Sequence, residues 1–411
     1  MSGRRLLATG LLWLLWIWGI ALLSNDPRPW PGHPWQYDLE RRAVPLARWD
    51  SGWYLRIVEQ GYQRPPSRMG QQTNHAFFPL YPGLIRAVVR TTGLESSMAG
   101  CLLSALALLG TLPLLAGWVK AEWGEAAVKP TILVFLLFPT SFFFAALYTE
   151  ALVLLLSVGA VRALQKERPL IAAACGLLAG LTRVSGLLLA PFLFLDSLRR
   201  SYERAGRLDA AALGRALFVG AAPAMGFGLF CLYFYKRFGD PLLFFTAQHN
   251  WATYEKSALQ GPYLIYRDLS MAISSGRLFR DPGRMYEGVY LLLFALLALL
   301  LVRSGIRLGG RRLDVKPDDV ERASERKGVD VLLFVKTGPV VEALYVSSLV
   351  GLVLLSGTLE SSGRYVLPAF PAFVILAGLS RYRIAFPLWL AASAMAQAAY
   401  VFFFVNWIWA G

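Results

Sequence analysis

The sequence predicts an all-α, polytopic integral membrane protein with about eleven transmembrane helices, several shorter than a full crossing of about 20 residues. Three observations lead there. Of 411 residues, 56% are hydrophobic and only 16% are charged, against roughly 25% charged in a soluble domain. Runs such as Leu6–Leu23, Cys101–Val119 and Val340–Leu355 approach the length that crosses a bilayer. The mean hydropathy of +0.48 and the many aromatics exclude intrinsic disorder.

The net charge of +15 would raise nucleic-acid binding for a soluble chain. Here the basic residues fall between apolar runs, where they report orientation instead. Cys101, Cys175 and Cys231 all lie within apolar runs without a CxxC pair, so they read as small core hydrophobes.

The whole chain, 1–411, reads as one transmembrane domain. Arg4 and Arg5 precede the first apolar run, which is longer than a signal-peptide core and lacks a clear cleavage site. It reads as a retained signal-anchor with its N-terminus in the cytoplasm. Residues 24–97 then form a first extracytoplasmic loop, whose Pro27, Pro29, Pro31 and Pro34 forbid a spanning helix. Within it Asp50 opens a short helix over Ser51–Gln60. Trp49, Trp53 and Ile57 recur every four residues, an apolar face expected to rest on the membrane. Phe77–Val89, with Pro79, Pro82, Arg86 and Arg90, suits a surface helix better than a crossing.

Further spans are expected at Cys101–Val119, Thr131–Leu147, Ala151–Ala163, Ile171–Thr182, Ser185–Leu195 and Leu213–Tyr235. Four more follow at Val289–Val302, Val340–Leu355, Val366–Leu379 and Ala385–Val405. With Phe77–Val89 on the surface, Arg162, Lys166, Arg168, Arg199, Arg200, Arg204 and Arg207 face the cytoplasm, as the charge bias demands. Residues 236–287 form a second large extracytoplasmic loop and 303–339 a cytoplasmic one. The mixed-charge insert Arg303–Lys336 reads as solvated connection. No repeat of 20–50 residues or inverted symmetry is visible.

This topology gathers the unusual polar residues on the outer side: Arg48-Trp49-Asp50, His75, Glu150, Arg183, Gln248-His249-Asn250-Trp251, Glu360 and Arg364-Tyr365. Ionisable groups in or beside apolar spans point to function by default. Each also has a plainer reading. Asp50 could be an N-cap worth about 1 kcal/mol, or a general base. Glu150 and Arg183 could simply pair, and Arg364 could be satisfied by Glu360. Three arginines on one outer pocket, Arg48, Arg183 and Arg364, suit a phosphate-bearing lipid through their planar forks. His33, His75 and His249 stand singly and no DxD pair occurs, so no metal site is expected.

The segments RWDSGWYLRIVEQGY (Arg48–Tyr62) and HAFFPLYPGLIR (His75–Arg86) closely resemble the PIG-V-like mannosyltransferases of the GT-C class. FPTSFFFAALYTEAL (Phe138–Leu152), LTRVSGLLL (Leu181–Leu189), FGDPLLFFTAQHNW (Phe238–Trp251) and GRYVLPAFP (Gly363–Pro371) extend the likeness. Trp53 stands where eukaryotic members typically carry His, as in the bacterial branch. The resemblance implies a GT-C-like fold with juxtamembrane helices in the first outer loop. It also implies an inverting transferase moving a hexose, mannose in the family, from a polyprenyl-phosphate donor to an acceptor hydroxyl. The acceptor would be a glycan, glycolipid or protein, met at the outer face of the bacterial inner membrane.

Asp50 matches the catalytic acid of that class, which turns the preference from cap to base, with capping as a secondary role. Arg183, Arg364 and Arg48 are then expected at the donor phosphate. Trp49, His75, Glu150, Gln248, His249, Trp251 and Tyr365 are expected to line the sugar or acceptor pocket, with no cofactor and no metal. The alternative is a transporter or lipid flippase with discontinuous helices near Pro139 and Arg183.

Overall fold

The computed structural model describes residues 1–25, 44–65, 72–251, 260–274, 282–312, 338–356, 358–359 and 361–408. Among these residues every regular element is helical. In chain order the α-helices are α1 (Gly3–Ser24), α2 (Ser51–Gln60), α3 (Leu80–Thr92), α4 (Ser96–Trp123), α5 (Glu125–Leu137), α6 (Glu150–Gln165), α7 (Pro169–Gly180), α8 (Val184–Leu187) and α9 (Leu189–Ala205). There follow α10 (Ala210–Phe238), α11 (Leu243–Trp251), α12 (Gly261–Ser274), α13 (Pro282–Arg312), α14 (Gly338–Ser356), α15 (Ser362–Tyr365), α16 (Phe370–Ala377) and α17 (Ala385–Val405).

Six described helices are long and apolar enough to cross a membrane: α1, α4, α10, α14, α17 and the Glu287–Ser304 part of α13. The other expected spans hold the shorter helices α5, α6, α7, α9 and α16. The chain is a multi-pass membrane protein.

The two ends of the bundle differ in chemistry. At one end the Met1 ammonium meets Glu125 at 2.8 Å, and Glu122 at the close of α4 meets Arg199 and Arg200 of α9. At the other end Asn406, after α17, donates to the Ser24 carbonyl that closes α1. The turns bearing Asp50, Glu150, Arg183 and Arg364 lie at this second end.

The expected span Thr131–Leu147 is not one helix. α5 stops at Leu137, and Pro139–Phe144 continue as a 3₁₀ turn. Proline removes a backbone donor and clashes one turn back, which strands carbonyls in an apolar setting. Side chains take them up: Ser141 bonds Phe135, Ser393 bonds Leu137, and the Gln397 amide bonds both Leu136 and Phe138. Trp13 Nε1 in turn donates to Gln397 Oε1 at 3.1 Å, which ties α1 into the bundle.

α3 is a 13-residue helix closed by Gly93 in the left-handed region, φ 72°. Its Arg86 donates to the Ile57 and Val58 carbonyls at the end of α2, so the two short helices brace each other. The α2 face expected on the membrane instead turns inward. Trp53 and Ile57 are buried, and Trp53 stacks on Phe77 with centroids 5.9 Å apart. Aromatic neighbours from the following loop cover the stripe that periodicity assigned to lipid.

α7 and α10 approach almost backbone to backbone. A Cβ on Gly180 would lie 2.0 Å from the Pro223 carbonyl oxygen, and one on Gly226 would lie 2.0 Å from that of Leu177. Small residues let membrane helices make such contacts. Finally, α13 carries Arg303, Arg307, Arg311 and Arg312 as helix, where a loop was expected from Arg303. The rest of that insert lies outside the described residues, as do Pro27–Pro34, His33 and Glu360.

Candidate active site

Asp50 sits where the chain turns into α2. Trp49 holds φ at 56°, a left-handed conformation that a bulky residue adopts only when its surroundings enforce it. Tyr148 is part of that enforcement. Its hydroxyl donates to the Arg48 carbonyl at 3.2 Å and accepts from the Asp50 N–H at 3.2 Å. Ser51 Oγ donates to the Leu147 carbonyl, and the Leu147 N–H to the Leu46 carbonyl. The 46–51 turn is thus stitched to the turn that begins α6.

The side chain does not cap α2. Asp50 occupies the N-cap position in right-handed helical geometry and makes no capping hydrogen bond, so the cap reading fails. Its carboxylate turns to Arg364 instead, with Nη1 2.7 Å from Oδ2. Arg364 Nε also lies 3.5 Å from Glu150 Oε1, and Glu150 receives Arg183 Nη1 in direct contact. The order is Asp50, Arg364, Glu150, Arg183: alternating charges from four distant turns. The pairing of Glu150 with Arg183 matches the plainer expectation, and Arg364 joins both carboxylates.

Burial varies along this row and is deepest at Glu150. The Glu150 side chain is 0% exposed, Arg364 7%, Arg183 11% and Asp50 21%. Asp50 is therefore the member that an incoming molecule meets. Aromatic faces hold the cations: Arg183 lies 4.6 Å from the Tyr365 ring centre, and Arg364 5.1 Å from that of Tyr148. Burial alone would lower the Arg364 pKa, but the charges of Asp50 and Glu150 outweigh it and keep the guanidinium protonated. Burial, then the Asp50 charge, pushes the Tyr148 phenol well above 10, so it remains a neutral hydrogen-bonding strut.

Other expected site residues lie elsewhere. Arg48 spends its fork on the Val44, Ala47 and Val405 carbonyls and on Asn25 Oδ1 at 3.0 Å, and it stacks on Trp407. It organises the loop and does not join the row of charges. Trp49 likewise packs on Trp407, with centroids 5.6 Å apart. His75 is enclosed by Tyr62, Phe234 and Phe238. Its Nε2 faces the Gln63 carbonyl at 3.0 Å and so carries the proton, while Nδ1 accepts from Thr73 at 2.9 Å. Neither ring nitrogen is left for a substrate. Gln248 is exposed on α11, and His249 and Trp251 belong to the same helix, with side chains outside the described set.

The sequence reading passed over two groups that shape the site. Glu287, near the start of α13, accepts from the backbone around Arg364, and Thr140 bonds the Gly363 carbonyl. A lone carboxylate opening the apolar run Val289–Val302 was the available signal for the first. Nothing local distinguishes Thr140.

Comparison with known proteins agrees with this architecture. No curated protein matches the sequence. Among solved structures, the archaeal oligosaccharyltransferase AglB from Archaeoglobus fulgidus, in complex with an inhibitory peptide and a dolichol-phosphate, aligns with TM-score 0.51 at 12% identity. That alignment covers 100% of this chain and 56% of AglB, so the chain spans little more than half of that protein. ArnT from Cupriavidus metallidurans, bound to undecaprenyl phosphate, aligns at TM-score 0.49 and 14% identity over 97% of this chain and 68% of that one. At such identity the likeness to AglB concerns the fold, which is GT-C-like as the motifs implied. Residues 35–241 match the profile of the family described as Mannosyltransferase (PIG-V), and the chain belongs to that family.

Proposed function

We propose that this protein is an inverting, metal-independent glycosyltransferase of the extracytoplasmic membrane face. It moves a hexose, mannose by family membership, from a polyprenyl-phosphate donor to the hydroxyl of a glycan, glycolipid or protein acceptor. The observation that carries this reading is the partly exposed Asp50 carboxylate, 2.7 Å from a buried arginine that leads through Glu150 to a second one. The placement is consistent with the orientation of charges: Arg4, Arg5, Arg199 and Arg200 sit at the opposite end of the bundle, the cytoplasmic end by charge bias.

In this mechanism the acceptor oxygen attacks C1 of the sugar opposite the phosphate while its proton passes to Asp50. The C1–O bond breaks, its electron pair stays on the lipid phosphate, and the anomeric configuration inverts. Arg364 and Arg183 stabilise the growing phosphate charge, a task for which preorganised cations commonly contribute 100- to 1000-fold in rate. Without donor, Arg364 neutralises Asp50. A phosphate that shares Arg364 loosens its contact with Asp50 and leaves that carboxylate to face the acceptor hydroxyl. Two guanidinium groups already supply the cationic role a metal would otherwise fill.

Purified protein in lipid nanodiscs, given radiolabelled polyprenyl-phosphate mannose and an envelope glycolipid extract, should form a new glycosidic bond in the presence of EDTA. NMR of the product should show the anomer opposite to that of the donor. Retention would remove the direct-displacement mechanism, and transport of labelled lipid without bond formation would remove the transferase reading.

A further inference from the structure

Arg364 does not reach the site on a stable helix of its own. It lies on the four-residue turn α15, preceded by Ser361 at φ 66°, a left-handed conformation that favours glycine. A turn this short has too few internal hydrogen bonds to hold a buried guanidinium in place. Something outside it must do so.

Glu287 supplies one half of that support. Its Oε1 accepts from the Ser361 N–H at 3.1 Å, and its Oε2 accepts from the Gly363 N–H at 2.8 Å and from the Ser362 hydroxyl. The Ser362 hydroxyl also lies 2.6 Å from the Glu287 carbonyl. Thr140 grips the other side, donating to the Gly363 carbonyl at 2.9 Å. Gly363 itself is wedged, since a Cβ there would lie 2.7 Å from the Tyr290 ring and 2.9 Å from the Thr140 methyl. Residues from α13 and from the 3₁₀ turn after α5 thus clamp both faces of one peptide segment immediately before Arg364.

We infer that Glu287 and Thr140 are positioning residues that fix the Arg364 guanidinium for the donor phosphate. The inference rests on the function proposed above and adds how the cation is preorganised. Only an acceptor-only group fits opposite the two N–H donors of residues 361 and 363 and a hydroxyl, which is why a carboxylate stands there rather than an amide. A displacement of about 1 Å at such a cation costs on the order of 100-fold in rate.

The test is a double-mutant cycle among Glu287→Gln, Thr140→Val and Arg364→Ala, read by kinetics and by native mass spectrometry of bound polyprenyl phosphate. Glu287→Gln should raise the donor KM and weaken lipid-phosphate binding about 10- to 100-fold, with the acceptor KM unchanged. The same change on an Arg364→Ala background should have almost no further effect, because both act through one group. Thr140→Val, near-isosteric, should show a milder form of the same pattern, and it carries the test alone if Glu287→Gln does not fold. Full additivity with Arg364→Ala, or equal effects on donor and acceptor, would overturn the positioning role. If Arg364→Ala itself binds lipid phosphate and transfers sugar normally, the underlying functional reading fails instead.

Discussion

Arg364 Nη1 lies 2.7 Å from Asp50 Oδ2, a contact between residues 314 positions apart in the chain. It joins the loop after the first helix to the turn before α16, at the end of the bundle opposite the Met1 ammonium. Because Asp50 makes no capping bond, its carboxylate is free to hold Arg364 instead. Changes at Asp50 should therefore leave α2 intact and show chiefly in chemistry and in the hold on Arg364.

Asp50→Asn keeps size and most hydrogen bonding but cannot take up a proton. Transfer should fall by about 100- to 10,000-fold, with a smaller accompanying fall in apparent Tm in detergent because Arg364 keeps only Glu150 as a counter-charge. A wild-type rate would remove Asp50 as the base.

Glu150 is wholly buried against Arg183 and Arg364, so Glu150→Gln should strand buried positive charge. Breaking such a pair commonly costs roughly 3–5 kcal/mol. Thermal unfolding should show a large drop, part of which returns in the Glu150→Gln/Arg183→Gln double variant. If the double variant is no more stable than the single one, the pair is not the source of the loss.

Close packing of α7 on α10 gives a sharper contrast. Gly180→Ala places a methyl group against a backbone carbonyl that cannot swing aside, and should destabilise by about 1–3 kcal/mol or more. Gly228, on α10, has nothing within 4 Å of its notional Cβ. Gly228→Ala should be neutral or slightly stabilising. Expression and thermal stability of the two variants measure the difference.

His75 predicts an acid sensitivity. Burial lowers its pKa, partly opposed by the Gln63 carbonyl, while the unfolded chain keeps a value near 6.5. Between the two values the unfolded state binds more protons, so stability rises with pH there. The contribution of His75 is thus complete above about pH 6.5 and is lost as pH falls toward the lowered native value. Apparent Tm followed from pH 7.5 downward should decline below that point, and His75→Asn should flatten the decline. An equal slope in the variant would assign the effect to another group.

Much of the fold was legible because a bilayer punishes unpaired backbone and charge. Apolar runs marked α14 and α17 at nearly their observed limits, and α1, α4 and α10 with ends up to five residues short. What periodicity could not report was what covers an apolar face. The α2 stripe of Trp53 and Ile57 looked lipid-facing and is covered by protein, because Phe77 arrives from a separate turn. Pro139 was visible as a helix breaker, but the side chains that absorb the freed carbonyls come from residues 393 and 397.

The sequence alone determined that this is a multi-pass helical protein of the PIG-V type, with Asp50, Glu150, Arg183 and Arg364 as costly polar groups at the ends of apolar runs. Tertiary structure decided which of them meet. It set Arg364 between two acids, turned Arg48 onto loop carbonyls, sealed His75 in aromatic walls and revealed Glu287 beneath the arginine turn. The reason is physical. Hydrophobic pattern reflects the average surroundings of each residue along its own helix, whereas a hydrogen bond depends on where two distant turns come to rest.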